Sequence, residues 1–327
     1  MENNKRILVT GGAGYIGSHL VHDLVEAGHE VIVLDNLSLG REENVPPQVK
    51  LIVGDVHNHE DLEQAFAQPV DVVFHFAAWK AAGESMLNPS KYAQNNICGT
   101  LSLIDACVNH GVENFVFSSS AAVYGDPQYL PVDEKHPTNP VNYYGYTKLA
   151  IEENLEWYSK LKGLKYASLR YFNATGYDIK GRVRGKEKNP ANLSPVVMET
   201  IAGLREKMQV FGNDYPTPDG TGIRDYIHVN DLASAHILAM EYLLKNKQNL
   251  AVNLGTGKGH SVLDVIKAAE KVTGKKVNYE IVDRRPGDPP ELVASCDLAF
   301  KLLGWKAQFS DLETIFKSMM PVYLEEH

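Results

Sequence analysis

Residues 6–19, RILVTGGAGYIGSH, run from a short β-branched segment through a glycine-rich turn into helix-like sequence that continues to residue 27. The glycines fall at Gly11, Gly14 and Gly17. Such a loop lets the backbone come close to a pyrophosphate, which then sits at the positive end of the following helix. A glycine triplet alone also fits a simple strand-to-helix turn. Its context carries more, because a second apolar run, EVIVLD, ends in Asp35, 18 residues after Gly17. An acid there hydrogen-bonds the ribose hydroxyls of NAD and repels the extra phosphate of NADP. The stretch predicts a dinucleotide-binding unit with NAD as its cofactor.

The same alternation continues outward. Short apolar runs at 30–34, 50–53, 71–76, 113–117 and 166–172 are separated by helix-like stretches, clearest at 90–109 and 144–162. Strands alternating with helices predict an α/β fold, a doubly wound parallel Rossmann-type sheet covered on both faces. After residue 176 the pattern changes. Residues 177–192 are charged and turn-rich, and helical stretches near 195–207, 229–245 and 261–273 mix with strand-like pieces at 208–211, 250–254 and 277–282. The expected organisation is a dinucleotide-binding domain over 1–176, which also carries the candidate catalytic residues, and a smaller C-terminal α/β substrate domain over 177–327.

Composition sets the outer limits. The 327 residues are 44% hydrophobic and 22% charged, enough for a full core in an ordinary globular protein. A net charge of −9 argues against nucleic acid or an anionic membrane as the main partner, while a few arginines in a cleft could still hold an anionic small molecule. No segment approaches the ~20 continuous apolar residues of a membrane span. The N-terminus enters a strand with no signal-like apolar run before it. Cys98, Cys107 and Cys296 match no metal or disulfide spacing. A cytoplasmic protein without a metal is expected.

Residues 140–153, PVNYYGYTKLAIEE, crowd three tyrosines ahead of one lysine at what reads as a helix start. Residues four apart share a helix face, which selects Tyr144 as the partner of Lys148 over Tyr143 and Tyr146. A phenol ionises near pH ~10, so it becomes a base at neutral pH only beside positive charge. Alone, a YxxxK pair is more simply an aromatic helix face packed on a core.

Together, the GxxGxxG spacing and YxxxK resemble the short-chain dehydrogenase/reductase family. Longer motifs resemble its extended branch, and within that the 4-epimerases of UDP-galactose and UDP-glucose, from residue 6 to about residue 305. They are TGGAGYIGSH (10–19), LDN (34–36), GD (54–55), HFAAWKAAGES (75–85), NNICGT (95–100), FSSSAAVYG (117–125), YYGYTK (143–148), LRYFNATG (169–176), FGNDYPTPDGTGIRDYIHVNDLA (211–233) and RRPGD (284–288).

The resemblance implies Tyr144 as catalytic base, Lys148 as its partner and Ser120 as the hydroxyl facing the sugar C4 oxygen, with Ser118 and Ser119 serving the strand end. It implies cofactor contacts from Gly11, Gly14, Tyr15, Ile16, Gly17, Asp35 and Asn36, with Asp55 and Val56 beside the adenine. Phe76, Ala77, Ala78 and Lys80 would line the cofactor groove, joined by Asn95 and Phe172. For the UDP-hexose it implies Asn173, Asn192, Leu193, Phe211, Arg224 and Arg285. Arginine suits a pyrophosphate through paired charged hydrogen bonds, although Arg224 and Arg285 could instead pair with Asp225 or Asp288.

One position departs from the pattern. Several family members carry a tyrosine four residues after the aspartate of RxGD, whereas this chain has Leu292. The smaller side chain leads to the expectation that N-acetylated UDP-hexoses are also accepted. A homodimer pairing helices near 90–110 and 144–162 is a further implication of the family. The rivals are a UDP-uronate epimerase or decarboxylase, a nucleotide-sugar dehydratase, and a non-catalytic NAD sensor. Ala121 and Ala122 after Ser120 leave no carboxylates there for a dehydratase. A sensor would not need Ser120, Tyr144 and Lys148.

Overall fold

A computed structural model describes residues 4–188, 190–285 and 287–325. Pro286 of the RRPGD segment and Asn189 of the charged stretch lie outside the described residues. In chain order the first half forms β1 (Arg6–Thr10), α1 (Tyr15–Glu26), β2 (Glu30–Asp35), β3 (Lys50–Val53), α2 (His59–Ala65), β4 (Val72–His75), α3 (Ala82–Leu87), α4 (Pro89–Tyr92), α5 (Thr100–Asn109), β5 (Asn114–Ser120), α6 (Tyr143–Lys162) and β6 (Lys165–Tyr171). The second half adds β7 (Asn173–Thr175), α7 (Leu193–Ile201), β8 (Met208–Phe211), β9 (Ile223–His228), α8 (Val229–Asn246), β10 (Leu250–Leu254), β11 (Gly259–Ser261), α9 (Val262–Thr273), β12 (Tyr279–Val282), β13 (Glu291–Leu292), α10 (Asp297–Leu303) and α11 (Leu312–Tyr323).

These elements fall into two compact units. The first comprises Met1–Gly125, Thr138–Arg170 and Ala233–Val252, and the second Asp126–Pro137, Tyr171–Leu232 and Asn253–His327.

The first unit is built on a seven-stranded sheet of order β10-β6-β5-β4-β1-β2-β3. The pairs β1–β2, β2–β3, β1–β4 and β4–β5 are all parallel. Strands buried on both faces need continuous apolar sequence, and Ile7, Leu8 and Val9 of β1 have no exposed surface. Leu8, Leu34, Val73, Phe115 and Phe117 from the strands pack with Leu103, Ile104 and Leu155 from the helices in one cluster. Burying each such side chain contributes about 1.5–3 kcal/mol. The strand order reverses between β1 and β4, and that reversal opens a crevice at their C-terminal ends.

Three local features differ from the periodicity. Between α4 and α5, residues Ala93–Gly99 wind as a π-helix, so the stretch 90–109 is not one continuous α-helix. The run at 250–254 joins the first sheet, beside β6. Helix α7 stops at Ile201 because Gly203 turns left-handed (φ +74°), and the amides of Leu204 and Arg205 then donate back to the Glu199 carbonyl at 2.9 and 3.2 Å.

In the second unit β9 is flanked by antiparallel β11 and parallel β13, and β7 also pairs with it. Strands β8 and β12 form a separate parallel pair. Helices α7, α9 and α11 pack together around buried Val197, Ile266, Phe316 and Met319. The fixed point of this unit is Asp225, which is fully buried in β9. Its carboxylate accepts from the Thr256 amide (2.8 Å) and hydroxyl (2.7 Å), the Gly257 amide (3.0 Å) and the Ala294 amide (3.3 Å).

Asp225→Asn would turn an amide NH₂ towards N–H donors. Leaving such groups unsatisfied costs roughly 1–3 kcal/mol each, so a clear fall in urea midpoint is expected. An unchanged midpoint would contradict the role given to this carboxylate.

Candidate active site

The glycine loop sits where β1 and β4 end side by side. Gly11 has φ +74°, and a Cβ on it would lie 2.5 Å from the Ala77 amide nitrogen. At Gly17 a Cβ would lie 2.4 Å from the Gly11 carbonyl oxygen. Gly14 is the N-cap of α1, with no side chain capping it and no acidic residue in the first turn. The positive end of α1 is thus presented by residues Tyr15, Ile16 and Gly17, as a pyrophosphate requires.

At the ends of β2 and β3 the residues expected around the adenosine come together. Asp35, at the end of β2, accepts from the amides of Ala13 (2.9 Å) and Leu37 (2.8 Å), which orients its carboxylate. The Asn36 side chain donates to Asp55 at 2.9 Å, and Val56 beside it is buried. After β4, residues Phe76, Ala77, Ala78 and Lys80 form a half-buried strip. The Phe76 amide donates to Thr10 O at 2.8 Å, and the Lys80 ammonium lies 5.5 Å from the centre of the Tyr15 ring. Asn95 lies on the π-helical turn and donates to Asn96 at 3.0 Å. These residues fit a dinucleotide, since a Cβ would fill the cradle that the glycines leave.

Three consecutive serines at the end of β5 have separate tasks. The Ser118 carbonyl accepts from the Lys148 ammonium at 2.7 Å. The Ser119 hydroxyl donates to Glu152. The Ser120 hydroxyl is hydrogen-bonded to the Tyr144 phenol and also accepts from the Ala122 amide at 3.2 Å. Helix α6 delivers Tyr144 and Lys148 to this point. Its N-cap is Asn142, whose side chain accepts from the Gly145 amide at 2.8 Å. The Tyr144 amide donates to Ser85 Oγ at 3.0 Å, which ties the start of α6 to α3. Lys148 Nζ lies 5.8 Å from the centre of the Tyr144 ring, consistent with their shared helix face.

Electrostatically, the phenol is held neutral and the lysine is poised between its two forms. Burial pushes the Tyr144 phenol up to about 12, against the opposing pull of the Ser120 hydrogen bond. Burial brings Lys148 down to about 7, against the negative charge of Glu152.

In the second unit the expected substrate residues form three local groups. Asn192 is the N-cap of α7, followed by Leu193, and its side chain donates to Ala174 O at 3.4 Å, next to Asn173 in β7. Arg285 stacks 4.1 Å from the centre of the Phe211 ring. Arg224 is paired in register with Leu292 and lies 3.6 Å from Asp288. Of the two ion pairs open to Arg224, the structure makes the one with Asp288, since Asp225 is occupied by its own donors. Phe172 is buried just past β6.

The motifs did not single out several residues that hold this arrangement. Asn96 binds both the amide (2.9 Å) and the carbonyl (2.9 Å) of Trp79 and donates to Thr147 (3.1 Å), which in turn donates to Tyr144 O (2.7 Å). His75 is buried between the hydroxyls of Thr10 (2.6 Å) and Thr100 (2.7 Å), and burial together with the Lys148 charge takes it down to about 3, so it is neutral. Asn96 neighbours Asn95 in NNICGT, and His75 opens HFAAWKAAGES, so both stand within the family-like motifs. Gly17→Ala would press its new methyl against the Gly11 carbonyl. The variant is expected to fold but to be purified with much less bound NAD, as read by chromatography after acid release. Full occupancy would contradict the cradle.

Residues 7–255 match the NAD dependent epimerase/dehydratase family. The chain is 48% identical over 311 residues to a UDP-glucose 4-epimerase of Halalkalibacterium halodurans, covering 94% of this chain and 92% of that protein. It is similar to the crystal structure of UDP-glucose 4-epimerase from Brucella ovis in complex with NAD, with a TM-score of 0.94 and 44% identity over 98% of each chain. It is also similar to the UDP-Glc/GlcNAc 4-epimerase of Campylobacter jejuni, with a TM-score of 0.85 and 40% identity over 98% of this chain and 99% of that one. With this match along most of its length, and relatives this similar from end to end, the chain belongs to the NAD dependent epimerase/dehydratase family.

Proposed function

We propose that the chain interconverts UDP-galactose and UDP-glucose and keeps NAD as a bound prosthetic group. The observation that carries this reading is the meeting of Ser120, Tyr144 and Lys148 in the same unit as the glycine cradle. Gly11, Gly14, Tyr15, Ile16, Gly17 and Asp35 would hold the pyrophosphate and ribose, and Asn36, Asp55 and Val56 the adenine end. Phe76, Ala77, Ala78, Lys80, Asn95 and Phe172 complete that binding set. Bound NAD would supply the hydride acceptor and donor at the sugar C4 and, while oxidised, a positive ring charge.

The chain's own groups handle the proton. Tyr144, as phenolate, takes the proton of the C4 hydroxyl, and Ser120 orients that hydroxyl. Lys148, as ammonium, steadies the negative phenolate. The 4-keto sugar turns its ring over while its UDP stays anchored. Tyr144 then returns the proton to the oxygen of the inverted centre. Binding energy thus sits on the nucleotide, away from the reacting carbon. Asn173, Asn192, Leu193, Phe211, Arg224 and Arg285 of the second unit are assigned to the UDP-hexose. The Arg285–Phe211 stack, which holds a guanidinium in the open, supports that assignment.

Leu292 beside Arg224 supports acceptance of UDP-GlcNAc and UDP-GalNAc as well. A cytoplasmic homodimer acting in galactose metabolism belongs to the same reading. Trp157 and Leu161, four residues apart on α6 and 60% and 70% exposed, support pairing through that helix.

Purified protein given UDP-galactose without added cofactor is expected to form UDP-glucose. No product even after NAD is added would reject the reading. Tyr144→Phe should lower turnover roughly a hundred- to ten-thousand-fold while NAD stays bound. A non-catalytic sensor would show no turnover to lose. Leu292→Tyr should depress conversion of UDP-GlcNAc far more than that of UDP-glucose, and equal loss on both would refute a role at C2.

A further inference from the structure

Behind the catalytic lysine lies an ion pair that the reaction, as described above, does not use. Glu152 stands one turn beyond Lys148 on α6 and is 8% exposed. Arg170 of β6, 9% exposed, grips it in bidentate fashion: Nε lies 3.0 and 3.1 Å from the two carboxylate oxygens, and Nη2 donates to Oε2. The Ser119 hydroxyl donates to Oε1. Arg170 Nη1 donates to the Tyr124 hydroxyl at 3.0 Å, and the guanidinium lies 5.1 Å from the centre of that ring. Apolar residues of similar volume often stabilise such a position as well or better, so cohesion alone is a weak reason for a buried pair here.

We propose that Glu152 and Arg170 are positioning residues for the reaction, with Glu152 holding Lys148 as an ammonium and, through Ser119, fixing the strand end that presents Ser120. The proposal rests on the reading of Ser120, Tyr144 and Lys148 as the reacting groups. The groups facing Lys148 are few. From β5 come the Ser118 carbonyl and the Phe117 ring, whose centre is 4.8 Å from Nζ. From α6 come Tyr144 and Glu152, and from β4 comes His75, which is neutral. Arg170 on β6 lies behind Glu152 and offsets part of its charge, and Tyr124 is tied to Arg170. While Tyr144 is protonated, Glu152 is the one anion among these named groups. Burial works against the lysine's charge, and Glu152 opposes that loss.

The geometry also joins the two halves of the site. Lys148 and Glu152 are fixed to each other by one helical turn. They hold neighbouring residues of β5, Ser118 by its carbonyl and Ser119 by its hydroxyl. A shift of α6 along the strand would break both contacts and move Ser120 relative to Tyr144.

Removing either half of the pair should act on Lys148 in opposite senses. The measurement is the pH dependence of kcat for UDP-galactose with NAD-loaded protein, where loss of the Lys148 proton sets the alkaline limb. Glu152→Gln leaves Arg170 uncompensated, and the limb should move to lower pH by about one unit. Arg170→Met leaves Glu152 unbalanced, and the limb should move to higher pH. A merely structural pair would lower kcat or the melting temperature in both variants and leave the limb in place, which would overturn the proposal, as would shifts in the same sense. If a single variant does not fold, E152Q/R170M decides, because it buries no lone charge. Its limb should lie below that of the wild type, and an unmoved limb would overturn the proposal. Inactive wild-type protein would instead reject the underlying reading of the function.

Discussion

The site depends on one close approach. Where β1 and β4 end together, the backbone of Gly11 meets that of Ala77 so tightly that a Cβ would lie 2.5 Å from the Ala77 nitrogen. That contact can exist only because strand order reverses between these two strands, which leaves their ends uncovered by a crossover. From it follow the turn into α1, the amide-lined cradle at its start and the course of the strip 76–80. The neighbouring strand, β5, then ends one position along the sheet, which brings Ser118, Ser119 and Ser120 beside that strip's parent strand.

A second constraint is electrostatic. The protein sets a half-buried tyrosine and a buried lysine on one helix face, and loss of solvent drives each towards its neutral form, up to about 12 for Tyr144 and down to about 7 for Lys148. The chain alone thus keeps the phenol protonated. In the proposed reaction a base so arranged is silent until further positive charge arrives, which would tie proton removal to an oxidised, loaded site. The Glu152–Arg170 pair tempers the same balance from behind, because it supplies the anion that favours the charged lysine.

Much of this was legible in the residues because it is local. The step from β1 through Gly11, Gly14 and Gly17 to Asp35 is a contiguous pattern, and the four-residue spacing singled out Tyr144 from three tyrosines. What escaped was set by distant partners. Glu152 is one turn beyond Lys148, within reach of the same spacing rule, yet only Arg170 and Ser119 reveal that it is buried and clamped. His75 acquires its role from Thr10 and Thr100, far away in sequence. Residues 250–254 read correctly as a strand, but periodicity cannot say which sheet receives it. Helix formers follow Gly203 and carry the sequence pattern to residue 207, while the left-handed turn at Gly203 ends α7 at Ile201.

Tyr144 is a protonated phenol in the bare chain and, in the proposed reaction, a base once the site is loaded. The direct measurement is an ultraviolet difference titration of NAD-loaded wild type against Tyr144→Phe, which isolates this one phenol. The expected result is a phenolate signal with a midpoint well below the ~10 of a free tyrosine. A midpoint at or above that value in the loaded protein would contradict it.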